Sequence, residues 1–152
     1  MQSASATKER PRLVGKVTAA IRIANHEDEV LLSRGLISVN DVRTVSIDEA
    51  LVDTGATLLC LPQELVDALD LPLAREVQVT TASGPMQARL YRDAHLFVEG
   101  RDGTFECIAL PGGSTPLLGV IPLETLGLQP DLAAQRLLLL PEEGRDNYLT
   151  VL

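Results

Sequence analysis

The sequence predicts an all-β domain with one or two short helices. Three observations lead there. Short stretches alternate apolar and polar residues, near period two at Val42, Val45 and Ile47, and at period two at Val77 and Val79 and at Met86, Ala88 and Leu90; that is the period of strands with one buried face. Clusters of turn residues separate these stretches at close intervals. Helix signals are confined to two brief runs that begin near Pro62 and Pro122, too short for a helical core.

Composition bounds the rest. A chain of 152 residues, 45% hydrophobic and 22% charged, suits one globular domain with a sizeable core. Aromatics make up 3% and Trp is absent, so that core must be aliphatic. The formal charge of -8, from 13 basic and 21 acidic residues, argues against nucleic acid or an anionic membrane as a partner. No apolar run is long enough to span a bilayer. The opening "MQSASATKERPRL" has no apolar segment of the signal-peptide kind. Residues 1–12 read as a disordered tail and 13–152 as one domain. Cys60 and Cys107 lie in apolar stretches and read as buried free thiols rather than a disulfide framework. A cytoplasmic location fits both.

Taken in order, "LVGKVTAAIRIA" (13–24) reads as a strand and "NHEDEVLLSRGL" as an irregular excursion with at most a helical turn. Ser38 to Asp41 can cap a further short turn. "VRTVSIDEALVD" returns to strand. Pro62 as first helical residue, Glu64 in the first turn, and Leu65, Val66 and Leu69 on one face predict a short helix that Pro72 ends. "REVQVTTASGPMQARLY" is a hairpin that turns at Ala82-Ser83-Gly84-Pro85, and "AHLFVEGRDGTFECIALP" a second that turns between Gly100 and Gly103. "RLLLLP" reads as a buried or interface strand, followed by a final "NYLTVL". One echo links "CLPQELVDAL" to "VIPLETLGL": Pro62 matches Pro122 and Glu64 matches Glu124, with Gly55 and Gly119 upstream at spacings of seven and three residues. It hints at two related halves.

The stretch that carries chemistry is "ALVDTGATLLCLP". It sets Asp53 among apolar residues, where a carboxylate is costly unless paired, hydrogen-bonded or protonated. Asp53-Thr54-Gly55 has three readings. A plain solvent turn conflicts with the apolar flanks, Leu51-Val52 and 56–61, which read as buried. A phosphate loop of the Asp-x-Gly-x-Thr kind needs a longer fold and a second phosphate motif, and neither is here. The third is an aspartic peptidase.

"ALVDTGA", a hairpin, and then "PLLGVIPLETLGL", with Gly119 falling 66 residues after Asp53, resemble the retropepsin-like (retroviral-type) aspartic peptidases over roughly residues 37–141. The likeness is nearest to the small bacterial members. It implies a closed barrel, a homodimer, a peptide or protein substrate and no cofactor or metal. It makes Asp53 catalytic, with the second Asp supplied by another copy, because the Gly119 region holds no second acid. Burial of Asp53 then follows from the shared proton. The resemblance places Thr54 across the dimer axis, Gly55 beside the carboxylate, and Ala56, Leu118 and Gly119 in support of the active loop. It makes Ala82, Ser83, Gly84 and Pro85 the tip of a flap over substrate. Residues 14–24 and 148–152 become candidate interface strands. Where many viral members carry acids after the Ala, this chain has Thr57 and Leu58; where they carry Arg after the second Gly, it has Val120. The charged pair is absent as a pair, which leaves open a second reading, a catalytically weak or inactive dimer that binds peptides. The histidines, His26 and His95, are far apart in sequence, in no metal-spaced motif, and read as solvated or locally bonded. No nucleophile elbow surrounds the serine of "PGGSTP".

Overall fold

Nine strands and three short helices follow one another in the structure, a computed structural model that describes residues 16–142. The expected tail at residues 1–12 and the final strand expected at 147–152 lie outside the described residues. Strand β1 (Val17–Asn25) buries Val17, Ile21 and Ile23.

An eight-residue helix, α1 (His26–Ser33), then stands where an irregular excursion was expected. It is held by its start rather than by an apolar stripe. Asn25 caps it, its side-chain oxygen accepting the Asp28 N–H at 3.0 Å, and Glu27, Asp28 and Glu29 occupy the first turn, at the positive end of the helix dipole. Asn25 is 1% exposed, and its amide donates to Leu69 O at 2.8 Å and Asp70 O at 3.2 Å. Buried Asp28 accepts the Arg43 N–H at 3.0 Å. Polar bonds to neighbouring segments thus do the work that side-chain burial does in most short helices.

A 3-10 turn (Val39–Asp41) follows, with Asp41 Oδ2 accepting both the N–H and the hydroxyl of Ser38 at 3.0 Å, as the sequence suggested. Next come β2 (Thr44–Val52), β3 (Leu59–Pro62) and α2 (Gln63–Leu69). Pro62 precedes α2 as its cap instead of opening it, and Asp70, at φ 49°, stops it before Pro72 is reached. Strands β4 (Leu73–Thr81) and β5 (Gly84–Val98) form the first hairpin. Strand β5 runs on for 15 residues and pairs with β6 (Arg101–Leu110). The second turn falls at Glu99-Gly100, not at 100–103: both residues are left-handed, at φ 53° and 76°, as a two-residue hairpin turn requires, and Gly103 already pairs with Leu96. The chain closes with β7 (Leu117–Leu118), α3 (Val120–Leu126), β8 (Leu128–Asp131) and β9 (Arg136–Leu139).

Seven strands make one sheet in the order β1-β2-β7-β3-β6-β5-β4, and β1 also pairs with β5; β8 and β9 form a separate hairpin. The pairs β2–β7 and β3–β6 are parallel. Ile21, Arg22, Ile23 and Ala24 are bonded to β2 on one edge and to β5 on the other. This corrects the expectation that the whole of 14–24 is an interface strand: of its described residues, only Val17, Thr18 and Ala19 pair with β2 alone. The core is aliphatic, centred on Ile23, Leu59, Leu61, Leu69, Leu96, Leu118 and Leu126. In the "RLLLLP" strand only Leu137 is buried, while Leu138, Leu139 and Leu140 are exposed on the single chain. The echo seen in sequence corresponds to two seven-residue helices, α2 and α3, each ended by a left-handed residue. The prolines do not match in register, since Pro122 lies inside α3. No helix among the described residues is long and apolar enough to cross a membrane.

Arg101 is the one buried cation of the described residues. Its Nη1 donates to Leu126 O at 2.9 Å and Gly127 O at 2.8 Å, Nη2 donates to Leu140 O, and Nε lies 3.2 Å from Glu142 Oε1. One guanidinium therefore joins the end of α3 and the end of β9 to β6. Arg101→Leu removes several charge-assisted bonds and leaves carbonyls without that donor. We expect a loss of about 3 kcal/mol, read as a lower melting temperature, with faster amide exchange in β8 and β9 before the rest. Unchanged exchange in that hairpin would contradict the clamp.

Candidate active site

The Asp53 loop grows out of β2. Val52 pairs in parallel with Leu118, and the Asp53 N–H continues that ladder to Leu118 O at 3.0 Å. The chain then turns: the Ala56 N–H returns to Asp53 O at 3.1 Å, and the Gly55 N–H donates to Asp53 Oδ1 at 2.8 Å. A carboxylate that accepts a backbone N–H is fixed in direction, so Asp53 presents its other oxygen from a set position.

The loop is in turn seated on α3. Val120 and Ile121, the first helical residues, donate their N–H groups to Ala56 O and Thr57 O, both at 2.9 Å. These N–H groups have no partner within a helix, so the active loop and the helix start satisfy each other. Gly119 is the point of closest approach. A Cβ there would lie 2.4 Å from Leu58 O, 2.7 Å from Ala56 O and 2.8 Å from Leu58 N. Leu118 is fully buried behind the loop. The structure therefore brings Asp53, Gly55, Ala56, Leu118 and Gly119 into one unit.

The flanks are less buried than the sequence suggested. Leu51, Val52, Asp53, Ala56 and Leu58 are half-buried and Thr54, Gly55 and Thr57 exposed; full burial begins at Leu59. In a single chain, then, Asp53 is not sealed from water. The loop is an outward bend carried on a buried support, and only the support is apolar on all sides. Thr54 has no side-chain hydrogen bond among the described residues.

Ala82 and Ser83 form the two-residue tip of the β4–β5 hairpin and are exposed. Gly84 and Pro85 belong to β5, paired with Thr81 and Thr80. A residue not anticipated from the sequence, Thr81, organises the tip: its hydroxyl donates to Gly84 O at 2.7 Å and accepts the Ser83 N–H at 3.1 Å. Thr followed three residues later by Gly across a two-residue turn was the available signal. Glu64 is a second such residue. Its carboxylate accepts the Gly113 N–H at 3.1 Å and so ties α2 to the "PGGSTP" loop. A groove of about 400 Å³ is lined by Gln63, Glu76, Met86, Arg89 and Leu110 among others, and Asp53 is not part of its wall.

Both cysteines are free and buried. Burial, helped by the nearby Asp53 carboxylate, pushes the Cys60 thiol up to about 11, and burial pushes Cys107 up as well. A raised pKa keeps the thiol protonated until the pH nears that value. At about pH 8 we expect Cys60 to be alkylated at least about 100-fold more slowly than free cysteine. The rate should climb with pH. Mass spectrometry of the iodoacetamide-treated native protein checks this, and ready labelling of the folded chain would contradict it.

A search of curated proteins finds no match. The family model for aspartyl protease matches residues 36–121, more than half of the chain. The matched span contains Asp53-Thr54-Gly55, the whole β4–β5 hairpin and Leu118-Gly119, and it leaves out β1, α1, β8 and β9. The Asp-Thr-Gly loop, the support behind it and this match lead to one conclusion: the chain belongs to the aspartyl protease family.

Proposed function

We propose that the protein is an aspartic endopeptidase that works as a homodimer through Asp53 of each copy. The observation that carries this reading is the Asp53 loop itself. A directed carboxylate sits on an exposed bend, backed by Leu118 and Gly119, in a chain with one Asp-Thr-Gly. One carboxylate cannot act as base and acid at once. A second copy related by a two-fold axis supplies the other. Two carboxyl groups in contact share one proton. The ionised one takes a proton from water as the water oxygen bonds to the peptide carbon. The protonated one gives its proton to the carbonyl oxygen. Collapse of the tetrahedral intermediate then breaks the C–N bond, with a proton delivered to the leaving nitrogen.

The pairings round β1-β2-β7-β3-β6-β5 and back to β1 support a closed retropepsin-like barrel as the framework of the single domain proposed for residues 13–152. Exposure of Thr54 suits a role across the dimer axis. In this reading Ala82, Ser83, Gly84 and Pro85 close over bound peptide and exclude water, with the tip kept in shape by Thr81. The two free cysteines suit a reducing cytoplasm.

Thr57, Leu58 and Val120, uncharged where viral relatives of this type are charged, favour the second reading, a dimer that holds peptides with little turnover. The test is cleavage of a mixed peptide library by the purified chain, with its mass in solution measured alongside. A dimer that cleaves and is blocked by a statine-type transition-state mimic supports the peptidase. A dimer that binds peptides without cleaving them supports the second reading. A monomer under all conditions overturns both.

A further inference from the structure

The pairing of β1 with β5 sets Ala24 opposite His95 and Asn25 opposite Ala94, and so brings His26, at the start of α1, to the histidine of β5. Glu29 lies one helical turn after His26, on the same face of α1. Its Oε1 is 3.1 Å from His26 Nδ1 and 2.6 Å from His95 Nδ1. The three side chains offer two imidazole nitrogens and one carboxylate oxygen, all within 4.8 Å of one another. We propose that His26, Glu29 and His95 form a binding site for a divalent transition metal of the zinc type.

Three features point to an ion rather than to a chance cluster. The donor set, two imidazoles and a carboxylate with room for water, is that of open zinc sites, where bonds of about 2.0–2.2 Å put ligand atoms a little over 3 Å apart. The Glu29–His26 separation of 3.1 Å is already near that value; the 2.6 Å hydrogen bond between Glu29 and His95 opens as the ion takes the place of its proton, and half-exposed His26 can swing to meet it. The second feature lies behind the site. His95 Nε2 is 2.7 Å from Asp102 Oδ2, so His95 meets the ion with one nitrogen while a carboxylate holds the other. That outer carboxylate fixes the tautomer and raises the basicity of a ligating histidine. Phe97, 4.1 Å from the His95 ring centre, also holds the ring in place. The third feature is charge. The neighbouring cation Arg92 is taken by Glu27 and Asp93, which leaves Glu29 with the two histidines. Glu29 and Asp102 thus bring two carboxylates to His95.

The site is remote from the proposed chemistry. It stands at the Ala24 end of β1, while Asp53 follows Val52, paired with Val17 at the other end, roughly 25 Å along the strand. Its effect would be to pin α1 onto the β5–β6 hairpin, a structural role independent of peptide hydrolysis.

The experiment uses the full chain stripped with a chelator and titrated at neutral pH with Co²⁺ alone and then Zn²⁺ alone. One equivalent of Co²⁺ should produce visible d–d absorption, which Zn²⁺ abolishes, and Zn²⁺ should raise the melting temperature. His26→Ala, on a half-exposed side chain that leaves the core intact, should weaken binding at least about 100-fold. Asp102→Asn should weaken it about 10- to 100-fold. Absence of saturable binding by the wild type overturns the proposal. So does unchanged affinity in His26→Ala, or loss of binding in Cys60→Ser instead. Unchanged affinity in Asp102→Asn overturns the positioning role of Asp102.

Discussion

Asp53→Asn is expected to remain folded and dimeric while its peptide hydrolysis falls by at least about 10³-fold. Asparagine has the shape of aspartate, and its side-chain oxygen can still accept the Gly55 N–H that the carboxylate holds at 2.8 Å. The support behind the loop, from Leu118 O to the first turn of α3, is made by backbone atoms and does not sense the change. On the proposed mechanism, what disappears is the group that takes the proton from water, in both copies at once. Paired measurements of cleavage rate, solution mass and melting temperature separate chemistry from folding. If Asp53→Asn cleaved as fast as the wild type, the activity would belong to another residue or another protein. If it fell apart into monomers, the carboxyl pair would be holding the dimer together, and a scaffold role for Asp53 would replace a catalytic one.

Local pattern made much of this architecture legible. Period-two alternation located β2, β4 and β5, and "ALVDTGA" marked the loop that β2 carries. A carboxylate among apolar residues needed a reason, and the reason could be argued from the sequence. The distinction between a buried loop and an exposed loop on a buried support could not. The stretch from Ala56 to Leu61, apolar but for Thr57, gives no sign of a change along it, but the chain turns inward only at Leu59. The same limit explains α1. Its apolar residues form no core-facing stripe, so periodicity missed it, although Asn25 followed by Glu27, Asp28 and Glu29 is a helix start by capping and dipole alone.

The remaining gaps are tertiary. Arg101, Thr81 and Glu64 act on backbone atoms whose nearness is created by folding, and no spacing rule announces them. His26 and His95 are the clearest case. Each alone is an ordinary polar residue, and only the antiparallel register of β1 and β5 sets both against Glu29. Gly119 stands between the two kinds. Its place after Leu118 was readable as part of a motif, but the reason a glycine is needed there is a distance.

That distance makes Gly119→Ala a heavily damaging methyl among the described residues. The backbone at Gly119, φ -91° and ψ -173°, is open to any residue, so conformational strain is not the obstacle. The obstacle is contact: the new Cβ would meet Leu58 O at 2.4 Å, Ala56 O at 2.7 Å and Leu58 N at 2.8 Å. All three are backbone atoms, so no rotamer change relieves them. Either β7 and α3 retreat from the loop or the loop retreats from them. In both cases the bonds from Val120 and Ile121 to Ala56 O and Thr57 O, each 2.9 Å, lengthen or break. Overpacking costs about 1–3 kcal/mol and each lost bond about 1 kcal/mol, for a total of about 3–5 kcal/mol. For a domain of this size that lowers the melting temperature by roughly 10 °C or more. The displacement falls on the residues that aim Asp53, so kcat should drop well beyond what the loss of folded protein explains at a temperature where the variant is still native. Normal stability in Gly119→Ala would mean that the loop and α3 are not pressed together as described, and the seat of Asp53 would have to be redrawn.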